Sequence, residues 1–134
     1  AGLETTLPSP VQKGMARPPA DSFFADYRLE REVKRSQQLE LFREIAAAAA
    51  TSASTRKEAQ EKLMALTQQA EEETRAENVL RAKGFKDALV VIGEQGVTVI
   101  VPGRLNPEEN TTVITLVYHS LGVPQEQVMV LGRE

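Results

Sequence analysis

Few residues in this 134-residue chain are of a type that does chemistry, and their spacing argues against it. The single histidine, His119, has no cysteine and no second histidine to share a metal with, so it reads as a surface side chain late in a helix. Three acids stand in a row, Glu71, Glu72 and Glu73. Consecutive helical residues point in different directions, so they cannot converge on a substrate as an acid/base pair, and solvated helix surface explains them. The stretch "GEQG" (93–96) matches the bare GxxG of RNA-clamping loops, but it sits between two apolar runs and carries Glu94 rather than a cation. No Walker phosphate loop and no nucleophile elbow occurs. No residue is singled out as catalytic, cofactor-binding or metal-ligating, and no cofactor is expected.

Composition narrows the classes further. With 41% apolar and 26% charged residues the chain supports one modest core. Aromatic content of 4% and no Trp disfavour base-stacking platforms. From residue 85 onward the basic residues are Lys86, Arg104 and Arg133, against Asp87, Glu94, Glu108, Glu109, Glu126 and Glu134. That balance repels phosphate and disfavours nucleic acid as a partner. Zero cysteines exclude disulfides and thiol chemistry. No run of about 18 apolar residues exists. The start without Met, at "AGLETTLPSP", suggests a processed or trimmed product, so an upstream anchor is compatible with the sequence.

The elements that must position any site follow from periodicity. Residues 1–20 hold Pro8, Pro10, Pro18 and Pro19 and read as an extended, disordered arm or tether. A helix starts at Asp21 or Ser22 and runs to about residue 50. Phe23, Phe24 and Tyr27 cluster at its start and Leu41, Phe42 and Ile45 near its end, with a charged, wet middle. A second helix starts at a Thr55/Glu58 capping box and runs to Lys83, with Gly84 as its stop. Its thin apolar seam (Ala59, Leu63, Leu66, Ala70, Leu80) nearly vanishes over 71–78, and neither helix shows a sustained heptad seam. Strands are expected at about 87–92 and 97–101 around the 93–96 turn. "NPEE" (106–109) opens a helix to Leu121, and a third strand covers 128–131. The fold class is α+β: an N-terminal helix followed by a helix–strand–strand–helix–strand unit, a three-stranded sheet with two helices on one face. The division is arm 1–20, helical spacer or interface element 21–50, and domain 54–134.

The sheet raises the functional question, because both of its faces are apolar. Ala88, Val90, Ile92, Val97, Val99 and Val101 face the helices. Leu89, Val91 and Ile100 face the other way and need a cover. One cover is the first helix, folding back through Leu41, Phe42 and Ile45. The other is a protein partner, which a short sheet with free edges could also accept as an added strand. The candidate interface is therefore Leu89, Val91, Ile100, Leu41 and Phe42.

The segments "FFADYRLEREVKRSQQLELFREI" (23–45) and "RAKGFKDALVVIGEQGVTVIV" (81–101), with the closing helix–strand unit, resemble the stage III sporulation protein AH family of endospore-forming bacteria over about residues 22–131. The resemblance implies a ring-building-motif fold on the extracytoplasmic side of the mother-cell membrane around the forespore. It implies an upstream transmembrane helix absent here, with residues 1–20 as tether. The implied partner is the forespore's stage II sporulation protein Q, bound across the intermembrane space in a non-enzymatic channel complex serving engulfment and late forespore gene expression. Assembly into a homo-oligomeric ring also fits. The competing readings are a generic oligomerisation domain of a secretion-type ring, an enzyme, and a nucleic-acid-binding module.

Overall fold

A computed structural model describes residues 22–134. The proline-rich arm expected over 1–20 lies outside the described residues. In chain order the elements are α1 (Ser22–Ala47), α2 (Ala53–Ala82), β1 (Leu89–Gly93), β2 (Gly96–Pro102), α3 (Pro107–Leu121), a 3-10 turn (Gln125–Gln127) and β3 (Val128–Arg133). The order is the one the periodicity predicts. β2 is central, antiparallel to β1 and parallel to β3.

Local chemistry sets the boundaries. The α1–α2 break falls at 48–52, and Ser52, not Thr55, caps α2 by accepting from the Thr55 N–H at 3.1 Å. Arg56 then closes the corner from within α2, donating to the carbonyls of Ala46 (2.9 Å), Ala48 (3.1 Å) and Thr51 (3.4 Å). These carbonyls belong to the unpaired end of α1 and its loop, so the arginine caps one helix from the next. Gly84 follows the end of α2 at φ +116°, a conformation that favours glycine. Asn106 and Glu109 form a reciprocal capping box at the start of α3, with Pro107 at its first position.

The core lies between the sheet and α2 and α3. Ala76 and Leu80 of α2, Val113 and Val117 of α3, and Ala88, Val90, Val97, Val99, Val101 and Val128 of the sheet form one buried cluster. Leu116 and Leu121 pack against it partly buried. α2, 30 residues long, spans about 45 Å, more than twice the length of these strands. Its C-terminal half lies on the sheet; its N-terminal half extends beyond it, with Ala59 buried and Leu63 and Leu66 half-buried on the side toward α1. The ion pairs between them run in opposite chain directions, from Arg28–Glu77 through Arg35–Glu73, so α1 and α2 form an antiparallel hairpin.

The seam of that hairpin corrects the sequence reading. On α1 the inward residues are Phe24, Arg28, Arg31, Arg35, Leu39, Phe42 and Ala46; on α2 they are Ala59, Leu63, Leu66, Ala70, Glu73, Glu77 and Leu80. Both series advance by alternating steps of mostly three and four, the spacing of a heptad seam. The middle of α1 is therefore not wet, and Glu73 is not solvated surface: Glu73 and Glu77 are each 2% exposed. A search for apolar residues alone misses the seam, because paired charges occupy its central layers.

Candidate functional site

Three arginines of α1 meet three carboxylates, Glu73 and Glu77 of α2 and Asp87 just ahead of β1. Arg28 donates to Asp87 through both Nη atoms, at 3.1 and 2.8 Å. Arg31 Nη1 donates to Glu77 Oε2 at 2.9 Å, and Arg35 Nη2 to Glu73 Oε1 at 3.1 Å. Arg81 adds a contact to Asp87 at 3.1 Å. The cations of this network are all arginines, partly buried, whose planar fork bonds several acceptors at once; Lys34 stays exposed.

The network also terminates the sheet. The N–H and C=O groups of Ala88, Val90 and Ile92 point away from β2, and each finds a side chain. The Ala88 N–H donates to Asp87 at 2.8 Å, the Val90 N–H to Glu77 at 2.9 Å, and the Ile92 N–H to Glu73 at 3.2 Å. The Ala88 carbonyl accepts from Arg28, the Val90 carbonyl from Arg31 at 3.4 Å, and the Ile92 carbonyl from Gln69 at 2.9 Å. Side chains thus stand where a fourth strand would lie. The sequence-level idea of a free edge at the hairpin is overturned at β1 by these bonds.

Protonation follows the geometry. For Asp87, burial favours the neutral acid, but the bonds from Arg28 and the Ala88 N–H outweigh it and hold the carboxyl below its ordinary value of 3.8. Arg28 is raised, chiefly by its bond to Asp87; Arg31 is raised although burial opposes its charge, through Glu77 and Glu73. A carboxyl depressed in the folded state contributes stability that is present above about 3.8 and is lost as pH falls through the lower folded value. Urea midpoints at about pH 7 and about pH 3 should therefore fall further for the wild type than for Asp87→Asn, which keeps an acceptor for the Ala88 N–H. Equal falls would mean that Asp87 carries none of the acid sensitivity.

The second face of the sheet is covered at one side and open at the other. The register aligns Leu89, Ile100 and Leu131 in one row and Val91, Thr98 and Met129 in the next. Leu89 is fully buried, Ile100 and Val91 are half-buried, and Leu131 and Met129 are 46% and 60% exposed. The cover is the start of α1, not its end. Phe24 is buried and lines a cleft with Asp87, Pro102 and Gly103, while the Arg133 guanidinium lies 4.0 Å above the Phe23 ring.

The candidate interface residues therefore separate. Leu89 belongs to the interior of this chain. Val91 and Ile100 lie on the partly open face. Phe42 is half-buried and Leu41 half-exposed near the α1–α2 corner, well away from that face, so the fold does not bring the five residues together. Sequence reasoning missed Met129 and Leu131, although the alternation in "VMVLGR" marks two outward apolar residues on a strand that ends the sheet. His119 is exposed, as expected. Among the described residues there is no group of three or more potential metal ligands, and no helix long and apolar enough to cross a membrane.

β3 differs from β1 at its outer edge. The register directs the N–H and C=O groups of Val130 and Gly132 away from β2, and among the described residues no side chain bonds them. An unpaired strand edge and an exposed apolar pair thus lie side by side, the combination that strand addition uses.

Comparison with known proteins bears on this geometry. The family model described as SpoIIIAH-like protein matches residues 10–130. No curated protein matches the chain. Among solved structures, a chain in the structure of the SpoIIQ-SpoIIIAH pore forming complex is similar at 26% identity and a TM-score of 0.74, over 83% of this chain and 96% of that one.

Proposed function

We propose, from the premise that this chain belongs to the SpoIIIAH-like family, that it is the AH-type half of a sporulation channel and binds a SpoIIQ-type protein through β3. The observation that carries the choice of surface is the exposed pair Met129 and Leu131 beside the unpaired β3 edge. Main-chain bonds from an added strand would supply affinity, and the apolar row across the open face would supply the buried centre that an interface needs. The α1–α2 hairpin acts as a strut holding that surface, which gives α1 the role of spacer and leaves the interface to the sheet.

The domain works by adhesion and carries no chemistry of its own. An upstream membrane helix would tether it, with residues 1–20 as the link, on the extracytoplasmic side facing the forespore. A titration of the isotope-labelled chain with the extracytoplasmic domain of a SpoIIQ protein tests the surface. Backbone resonances of Val128–Arg133 and of Thr98 and Ile100 should shift. Shifts confined to α3, or to the α1–α2 corner, would place the interface elsewhere.

A further inference from the structure

The two edges of this sheet are treated unequally. Proteins commonly protect an edge with a lysine, a proline or a bulge. Here β1 is closed by Asp87, Glu77, Glu73, Arg28, Arg31 and Gln69, acting together on its outward backbone groups. Burying such charges is costly unless every member is bonded, and here every one of these side chains is. β3, at the opposite edge, has no comparable protection among the described residues.

We propose that this network is an edge guard that makes the domain monovalent for strand addition: a strand docks on β3 and none docks on β1. The consequence lies in symmetry. A sheet continued from copy to copy needs β1 of one molecule against β3 of the next, a head-to-tail contact that closes as a ring or runs on as a filament. With β1 occupied, the only edge pairing left between copies is β3 against β3, which uses the same surface twice and stops at a dimer. A larger ring of this chain must therefore be built through its faces, leaving β3 for one hetero-partner. The guard stands on bonds within this chain; only the identity of the strand that docks on β3 rests on the reading above.

Amide hydrogen exchange on the full chain tests the guard without any partner. The Val90 and Ile92 amides should exchange as slowly as that of Val99 in the central strand, and the Val130 and Gly132 amides about 100-fold faster. Rapid exchange at Val90 and Ile92 would overturn the proposal whatever SpoIIQ binds. A second arm uses Arg31→Gln, which shortens the donor to the Val90 carbonyl and removes the charge. With folding verified by circular dichroism, it should grow beyond a dimer with concentration in light scattering, and adding Val130→Pro should suppress that growth. A folded Arg31→Gln of wild-type size would also overturn it. If Arg31→Gln does not fold, the exchange pattern alone decides.

Discussion

Replacing Glu77 with alanine should cost about 3–5 kcal/mol of folding stability, the usual penalty for removing one partner of a buried ion pair. Glu77 is 2% exposed, accepts from the Val90 N–H at 2.9 Å and from Arg31 at 2.9 Å, and lies 3.6 Å from Arg28. Truncation would strand a backbone donor and a guanidinium in a site with little water, and would open a cavity besides. Domains of this size are stable by roughly 5–15 kcal/mol, so the loss takes a large share. Urea unfolding checks it: the midpoint should fall steeply at unchanged slope. Arg31→Ala should be comparably harmful, and the double variant should lose much less than the sum, because each change removes the same bonds. A loss under about 1 kcal/mol for Glu77→Ala would mean that water replaces the carboxylate freely and that the network is no clamp.

Aspartate at Met129 or Leu131 should weaken partner binding about 30-fold or more while leaving folding intact. Truncations at interface centres commonly cost about 2 kcal/mol or more, and a charge brought into an apolar contact does not do better. Both side chains are largely outside the fold, at 60% and 46% exposure, so their own stability cost should be about 0.5 kcal/mol or less. Leu89→Asp provides the contrast. Leu89 is fully buried, so its substitution should unfold the chain rather than disable a docking surface. Calorimetric titration with paired melting curves separates the cases. Unchanged affinity for both aspartate variants at β3 would remove that surface from the account.

The order of elements was legible because each boundary has a local cause: the Asn106/Glu109 box, Gly84 after α2, the glycines at 93 and 96. The two-sided apolar character of β1 and β2 was legible too, and it pointed to the right question about the sheet. Its answer was not, because cover depends on which end of α1 reaches the sheet. Phe23 and Phe24 do so, while Leu41 and Phe42, equally apolar in the sequence, are spent near the far corner. The guarded edge was hidden for a different reason. Arg28, Arg31 and Arg35 on one helix and Glu73 and Glu77 on the other look like two solvated faces until the helices are placed antiparallel, when each face neutralises the other. Segregation of sign was the available signal, since the cations that pair with Glu73 and Glu77 all lie on α1 and both glutamates on α2. The β3 surface was overlooked because a short terminal strand reads as the end of a core and not as the edge of a sheet.

The most direct measurement is light scattering in line with size exclusion, on this chain alone, on the extracytoplasmic domain of a SpoIIQ protein from the same organism, and on their mixture. The expected result is a one-to-one complex that Leu131→Asp abolishes and Glu94→Gln, in the hairpin turn, leaves intact. Two unmixed peaks for the wild-type pair would contradict the adhesion role. A complex that survives Leu131→Asp would contradict the placement of that role on β3.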